Sequence, residues 1–504
     1  MKIPAFILGL GAAVTLTASA QPSLTLYNQS FAVVREIVPL DLKAGVNDVR
    51  WSGATAHVEP DSVILRDPAG KRALQILEQN YRNDPVSQEL LLSLFEGKTI
   101  DFEIPRTKDN TQAPEMVAGK IIRSGYVPHT AAFSRYGQQY YQAQMAYASP
   151  MGAGTPIVEV AGKIRFGLPG QPIFPSLGDD TVLKPTLNWQ LNADRAGKLD
   201  AEVGYVSGGF TWQADYNLVA PEKGDKVDLL GWVTMDNQSG KTFENAKIKL
   251  MAGDVNKIQP QGYTMDAMSF SGGSFGGGAP VVTEKSFDEF HLYTLARATT
   301  LRDRETKQVE FVRAANILAP TIYIYDGAKI GQQYRGWNYD SIRNNRDYGT
   351  QSNPKVWILR EFVNSESNHL GMPLPKGKLR FYRRNEDGQL EFTGEDTIDH
   401  TPRDERIRVM TGNAFDLTGE RKRTNYKLDS GDKWCDESFE IKLRNHKKEP
   451  VEIRVIEHLY RWTNWELTEK SNTFLKTDAQ TIEFRVQAQP DEEKTISYTV
   501  HYSW

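Results

Sequence analysis

The stretch from Phe439 to Leu459, FEIKLRNHKKEPVEIRVIEHL, decides the fold class. Apolar and polar residues alternate on both sides of the central NHKKEP, which is the period of a β-strand with one buried face. Asparagine suits the first position of the turn, because its side chain can bond the backbone two residues further on. The stretch therefore predicts a β-hairpin.

The same order of strand, asparagine, polar turn and strand occurs twice more. It is found in GWVTMDNQSGKTFENAKIKL, residues 231–250, and in WILREFVNSESNHLGMPLPKGKLRFY, residues 357–382. The turn asparagines are Asn237, Asn364 and Asn445. Three such hairpins predict an all-β chain in which residues 186–504 form an antiparallel immunoglobulin-like sandwich.

The segments before this region are also predicted to be β. Residues 21–96 are expected to form an N-terminal β unit that ends in a short helix, with Ser87 as its N-cap and Gly97 as its stop. Residues 97–185 carry short strands bounded by glycine or proline, which predicts a small barrel-like module. Within the sandwich region, the glycine-rich stretch near 269–280 is expected to be a flexible linker or a lid.

The first twenty residues have the layout of a secretory signal peptide. One cation, Lys2, precedes an apolar run over residues 3–14, and Ala18, Ser19 and Ala20 form a small-residue cleavage site. No later segment has eighteen uninterrupted apolar residues, so no transmembrane segment is expected after cleavage. The mature chain is therefore expected to be exported, to a periplasm or out of the cell.

Charge and cysteine content exclude some functions. The chain has 60 lysine and arginine residues against 64 aspartate and glutamate residues, a net charge of −4, which argues against nucleic acid as a partner. The one cysteine, Cys435, excludes a disulfide framework. A single cysteine beside a strand is expected to be a small buried hydrophobe rather than a nucleophile.

Several phrases resemble a known family, and they span nearly the whole mature chain. They include LTLYNQSFAVVRE at 24–36, SGGFTWQADYNLV at 207–219, FHLYTLARATTLRDRETKQVEF at 290–311 and GEDTIDHTPRDERIRV at 394–409. These phrases resemble bacterial proteins with the domain of unknown function 4139. Mucoidy-inhibitor-like proteins with this domain resemble the chain only in part, since they carry a long coiled coil and this chain has no sustained heptad run. The resemblance implies an exported β-rich protein and no catalytic residues.

The best candidate for chemistry is GEDTIDHTPRDE, residues 394–405. Its candidate acid, base or metal-binding groups are Glu395, Asp399 and His400. On a strand, Asp399 and His400 would point to opposite faces, so a metal would need a bend or ligands from another strand. Those further ligands would come from Glu457, His458 or Asp254. The competing interpretation is a solvated turn, and no cofactor is predicted.

Two groups of aromatic residues are candidate binding surfaces. Tyr460, Trp462 and Trp465 cluster around Arg461, and the alternation places Tyr460 and Trp462 on one face. Tyr140 and Tyr141 lie in a loop at 135–154 that is rich in tyrosine and glutamine. The first group is predicted to pack in the core, and the second to lie in a flexible loop. The alternative for both groups is an aromatic surface that binds a sugar or a protein partner.

The sequence favours a non-catalytic cell-envelope binding or scaffolding protein, whose partner is an envelope protein or a glycan. No Walker loop, dinucleotide fingerprint, His-Glu-x-x-His or nucleophile elbow occurs in the chain. The alternative is a secreted or periplasmic hydrolase that uses Asp399 and His400, with the glycine-rich stretch as its lid.

Overall fold

The computed structural model of the 504-residue chain contains thirty strands and two short α-helices among the residues it describes. Those residues are 21–83, 86–104, 114–126, 155–175, 182, 184–253, 255–257, 282–287, 290–331, 334–429, 431 and 433–504. The predicted signal peptide, the loop at 135–154 with Tyr140 and Tyr141, Asp254 and the stretch at 269–280 lie outside them.

The strands up to residue 252 are numbered here in chain order. They are β1 Ser23–Tyr27, β2 Phe31–Leu42, β3 Gly45–Trp51, β4 Ile64–Arg66, β5 Leu74–Arg82, β6 Thr99–Ile104, β7 Glu115–Arg123, β8 Ile157–Val160, β9 Lys163–Phe166, β10 Gln171–Ile173, β11 Thr186–Ala193, β12 Gly197–Gly208, β13 Phe210–Ala220, β14 Lys226–Asn237 and β15 Phe243–Ala252.

The remaining strands and the helices follow in the same numbering. They are β16 Val282–Phe287, β17 Phe290–Leu295, β18 Thr299–Leu301, β19 Glu305–Leu318, β20 Thr321–Asp326, β21 Lys355–Val363, β22 Gly377–Arg384, β23 Leu390–Ile398, β24 Arg406–Leu428, β25 Trp434–Asn445, β26 Val451–His458, β27 Trp465–Lys470, β28 Phe474–Lys476, β29 Thr481–Ala488, β30 Glu493–Ser503, α1 Gln88–Leu94 and α2 Tyr339–Asn344.

The chain divides into two compact units, each assembled from several segments. Unit 1 contains Met1–Trp212, Met235–Ala267 and Arg297–Lys307. Unit 2 contains Gln213–Thr234, Met268–Ala296 and Gln308–Trp504. The all-β prediction is confirmed, and the predicted domain boundaries at 96 and 185 stay predictions.

Unit 1 contains three groups of paired strands. One sheet has the order β15-β1-β2-β12-β4, with β18 beside β15, and a second has the order β3-β11-β5. The third is an open five-stranded sheet, β10-β6-β7-β8-β9, where a barrel-like module was predicted. No barrel closes among the described residues, because the end strands β10 and β9 have only three and four residues and β9 is exposed along its length.

The short helix α1 confirms its sequence signals. The Ser87 hydroxyl accepts a hydrogen bond from the Leu90 amide at 3.2 Å, which is an N-cap contact. Gly97 follows the helix with φ at +79°, a conformation that glycine adopts without steric cost. Leu92 then packs against the apolar face of the five-stranded sheet, at Phe102 and Ile121.

Unit 2 contains most of the region predicted as a sandwich, residues 186–504, whereas its strands β11, β12, β15 and β18 belong to unit 1. One sheet has the order β19-β14-β13-β22-β23, and the other has the order β27-β30-β25-β24-β21-β20-β26-β29-β28. Every second residue of β25 and β26 is buried, as the stretch at 439–459 predicted. Strands β30 and β29 stand near opposite ends of the order, yet Tyr498 lies 5.3 Å from Phe439 and 5.8 Å from Phe484 between ring centroids. The nine-stranded sheet therefore packs against itself around one core.

The interpretation of the three asparagine turns as hairpins is wrong. β14 and β15 lie in different sheets, as do β21 and β22, while β25 and β26 are separated by three other strands. Alternation identifies a strand but carries no information about its partner, which depends on contacts distant in sequence. The chain therefore leaves each of these turns toward a strand that does not pair with the one before it, and β26 pairs with β20 in parallel.

Two of the three turn asparagines perform the predicted capping. The Ser239 amide donates to Oδ1 of Asn237 at 3.0 Å, and the Lys447 amide donates to Oδ1 of Asn445 at 2.9 Å. Asn364 differs, because both polar atoms of its buried amide lack a partner among the described residues. In this turn it is Asn368 that bonds the backbone, because its side-chain amide donates to the Val363 carbonyl at 2.8 Å.

Candidate functional site

The residues of the Asp and His candidate site lie at two places. β23 ends at Ile398, so the alternation expected for Asp399 and His400 stops before them. Both contact one residue: the Lys376 Nζ lies 3.6 Å from Asp399 Oδ1, and the Lys376 amide donates to His400 Nδ1 at 3.1 Å. The carboxylate of Glu395 faces β22 instead, 3.7 Å from both Lys378 and Arg380. A catalytic role for the three stays a prediction.

The proposed additional metal ligands already have strong partners. Both carboxylate oxygens of Glu457 accept hydrogen bonds from Arg421 Nε at 2.9 Å, and the Tyr498 hydroxyl donates to the same carboxylate. His458 Nε2 lies 2.9 Å from Asp326 Oδ2. In the described part of the chain no three His, Cys, Asp or Glu side chains are grouped to hold a metal ion.

His458 and Asp326 make stability depend on pH, and replacing His458 by glutamine tests this. Burial lowers the pKa of His458, but the hydrogen bond and charge of Asp326 raise it by more, so the net pKa is raised. Such a group stabilises the fold below its unfolded pKa of about 6.5, and that contribution is lost as pH rises through the folded pKa. We expect a destabilised variant at about pH 5.5 and a smaller gap at about pH 8.5 in thermal unfolding. An equal gap at both values would contradict the ion pair.

Cys435 is a buried, free thiol, as its position beside a strand predicted. Burial, together with the charge of the nearby Glu437 carboxylate, raises its pKa to about 12. A thiol with a raised pKa is a poor nucleophile at neutral pH, because the thiolate is the reactive form.

The C-terminal aromatic candidates do not form one strand face. The chain leaves β26 at His458, so Tyr460 lies in a turn and is exposed. The ring of Trp462 is covered by the Arg343 guanidinium, 3.8 Å from the ring centroid. Trp465 donates from Nε1 to the Ala479 carbonyl at 2.9 Å. Their role in binding stays a prediction.

A better-formed site lies in the connection between β20 and β21, which contains α2. A pocket of about 390 Å³ opens there, here called the aromatic pocket. Its lining residues are Ile330, Gly331, Tyr334, Arg335, Ile342 and Tyr348. The ring centroids of Tyr334 and Tyr348 are 4.9 Å apart, and Trp337 packs edge-on against Tyr334 at 5.1 Å.

Local hydrogen bonds shape the aromatic pocket. Asn338 caps α2 by accepting the Ser341 amide at 2.8 Å, which places Ile342 one turn into the helix. The Tyr334 hydroxyl accepts the Gly349 amide at 3.1 Å and donates to the Asp347 carbonyl at 3.2 Å. These bonds hold the Tyr334 ring in one orientation.

A buried arginine three residues after β26 binds the same connection. Arg461 binds both carboxylate oxygens of Glu437 at 2.8 Å, through Nε and Nη2. Its other hydrogen bonds to described residues go to backbone carbonyls of the connection, at Ile342, Arg343, Asn345 and Tyr348, between 2.7 and 3.3 Å. Arg421 adds a bond from Nη1 to the Gly349 carbonyl at 2.8 Å. In the last turn of α2, the Ile342 and Arg343 carbonyls thus have a charged donor, and the Asn344 carbonyl accepts from the Tyr426 hydroxyl at 3.0 Å.

The described lining of the aromatic pocket combines aromatic rings, aliphatic side chains and one arginine. Its described lining has no carboxylate, imidazole or thiol, so it offers no general acid or base with a pKa near neutrality. Tyrosine rings provide flat apolar faces with polar tips, and Arg335 is exposed at the pocket. A size of about 390 Å³ lies within the range of small-molecule sites.

Sequence reasoning did not single out this connection. The available signal was a density of aromatic residues, with Tyr334, Trp337, Tyr339 and Tyr348 within fifteen positions beside several arginines. What composition could not show is that Arg461, more than a hundred residues later in the chain, holds the connection in place.

Comparisons with known proteins agree with the resemblance noted above. No curated protein and no solved structure matches the chain. Among the described residues, no helix has the length and apolar content needed to cross a membrane. A family model described as a domain of unknown function, DUF4139, matches residues 201–504. The chain therefore belongs to the DUF4139 family.

Proposed function

We propose that this protein is an exported, non-catalytic binding protein of the cell envelope, and that the aromatic pocket recognises a glycan. The observation that carries this proposal is the pocket itself, with Tyr334 and Tyr348 beside Arg335 on a connection fixed by buried arginines. Export rests on the signal-peptide pattern of residues 1–20.

A sugar ring fits the composition of this pocket. The C–H faces of a pyranose are apolar, so they pack against aromatic rings, while its hydroxyl groups need polar partners. The planar guanidinium of Arg335 can bind a carboxylate on such a sugar through two parallel hydrogen bonds. Because the pocket is held in place before binding, little conformational entropy is lost when the ligand enters. An acidic sugar of the cell wall offers the apolar ring faces, the hydroxyl groups and the carboxylate that these contacts require.

Replacing Arg335 by alanine is the direct test. The mature chain, residues 21–504, is titrated with solubilised peptidoglycan fragments in a calorimeter. We expect binding by the unaltered protein and at least about tenfold weaker binding by the variant, since a hydrogen bond to a charged group contributes about 1.5–3 kcal/mol.

Arg346 provides the matched control, because it is an exposed arginine of the same connection that does not line the pocket. Its replacement by alanine is expected to change affinity less than about twofold, as exposed charges contribute little. Equal losses in the two variants, or no binding by the unaltered protein, would refute the pocket as the glycan site.

A further inference from the structure

A second cavity in unit 2 has a different chemistry. This cavity of about 590 Å³, here called the basic groove, lies away from the residues of the aromatic pocket. It is lined by Glu222, Lys223, Gly224, Asp225, Thr321, Ile322, Tyr323, Arg360, Arg383, Lys447, Glu449, Pro450, Val451, Glu452 and Arg454. Five of these side chains are cationic and four are anionic.

Two of the five cations, Arg360 and Arg454, lie deeper than the carboxylates that line the groove. The side chain of Arg360 is 5% exposed and that of Arg454 is 15% exposed. The carboxylates lie at the rim, with Asp225 50% exposed and Glu449 68% exposed. A carboxylate in contact with water neutralises a buried guanidinium only weakly, because solvent screens it. The two most buried charged side chains that line the basic groove are therefore cationic, although Arg454 lies 4.0 Å from Glu361 and 3.7 Å from Glu452.

Arg360 is the most buried of these cations. Its Nη1 donates to the Ala319 carbonyl at 2.8 Å and to Asp225 Oδ1 at 3.2 Å. Nη1 is the one nitrogen of this guanidinium that donates to another residue in the described part of the chain. Burial lowers its pKa, and the positive charge of Arg383 lowers it further. A buried guanidinium with free donors is stabilised by an added anion.

The other cations also have unused capacity to donate. Lys447 donates to the Tyr323 hydroxyl at 2.8 Å and approaches Glu449 at 3.3 Å. Arg383 reaches the Glu222 carbonyl at a long 3.3 Å. The buried Nε of Arg454 has no hydrogen-bond partner among the described residues.

From this arrangement we propose that the basic groove binds a sugar phosphate. A phosphate group has several oxygens that can accept from more than one cation at once, which matches the convergence of Arg360, Arg383 and Lys447. The cavity is much larger than a bare phosphate, and Tyr323 and Pro450 provide apolar surface for a sugar ring. This proposal does not depend on the aromatic pocket.

Calorimetry on the mature chain with three probes tests the proposal. We expect glucose 6-phosphate to bind, inorganic phosphate to bind more weakly and glucose to show no binding. Raising the salt concentration is expected to weaken the binding of both phosphates. Tighter or equal binding of inorganic phosphate would overturn the assignment to a sugar phosphate, and no binding of either phosphate would overturn the site.

Two adjacent arginines on β22 supply the variant and its control. Arg383 lines the groove, whereas Arg384 points to the other face of the strand, and both are exposed. We expect Arg383→Ala to weaken glucose 6-phosphate binding about tenfold and Arg384→Ala by less than about twofold. Lys447→Met, which keeps most of the side-chain volume, is expected to act like Arg383→Ala. Equal affinities for all three variants and the unaltered protein would overturn the proposal.

Discussion

Replacing Arg461 by methionine is expected to lower the free energy of unfolding by about 3–5 kcal/mol. The guanidinium is almost fully buried and binds both oxygens of the equally buried Glu437. Removing Arg461 leaves the buried Glu437 with Arg423, whose Nη1 lies 3.1 Å from Oε1, as its remaining cationic partner among the described residues. In this case four backbone carbonyls of the connection between β20 and β21 also lose their donor.

Two measurements separate the loss of global stability from the local loosening of the connection between β20 and β21. Urea unfolding of the mature chain, followed by tryptophan fluorescence, gives the change in free energy. Limited proteolysis of the folded protein is expected to cut within residues 334–349 sooner in the variant, because the connection loses its anchor.

Arg444 is the matched control for this substitution. It forms ion pairs with Glu493 and Glu420 at 2.7 and 2.9 Å, but its side chain is 36% exposed. Exposed pairs of this kind contribute about 0–1 kcal/mol, so Arg444→Met is expected to have a small effect. If Arg461→Met were no more destabilising than Arg444→Met, the claim that Arg461 holds the connection between β20 and β21 in place would be refuted.

The second large effect is expected at Arg421. Replacing it with methionine leaves the fully buried carboxylate of Glu457 with the Tyr498 hydroxyl as its remaining side-chain donor. We expect a loss of about 3–5 kcal/mol in the same urea experiment. The guanidinium also lies 3.9 Å from the Phe439 ring centroid, and methionine retains part of that packing.

A double variant tests the physical reason for this loss. When Glu457→Leu is combined with Arg421→Met, no uncompensated charge remains in the core, so part of the stability should return. A double variant that loses the sum of the two single effects would show that the two residues are not coupled, and it would contradict this physical reason. A double variant more stable than Arg421→Met would show that the uncompensated charge causes the loss.

Local sequence signals were sufficient for several elements of secondary structure, among them β25, β26 and α1. Alternation over residues 439–459 predicted β25 and β26 and the inward faces of both strands. Ser87 and Gly97 marked the beginning and end of α1 correctly. These signals succeed because each depends on neighbours within a few residues, through side-chain periodicity or backbone conformation.

Pairing of the strands could not be predicted in the same way. The phrase around Asn445 looks like a hairpin, yet β24, β21 and β20 lie between its two strands in the sheet. Hairpin and cross-sandwich turns share the same local composition, because both need a polar turn between two half-buried strands. Which one forms depends on packing contacts far apart in sequence.

The sequence by itself determined the all-β class, the strands β25 and β26, the short helix α1, the buried thiol of Cys435 and the family resemblance. Tertiary structure alone decided the strand order, the ion pairs of Arg461 with Glu437 and of Arg421 with Glu457, and the positions of the aromatic pocket and the basic groove. The physical reason is the same in each case. A half-buried strand is specified by its own alternation, whereas a buried charge or a cavity is specified by partners that other strands bring to it.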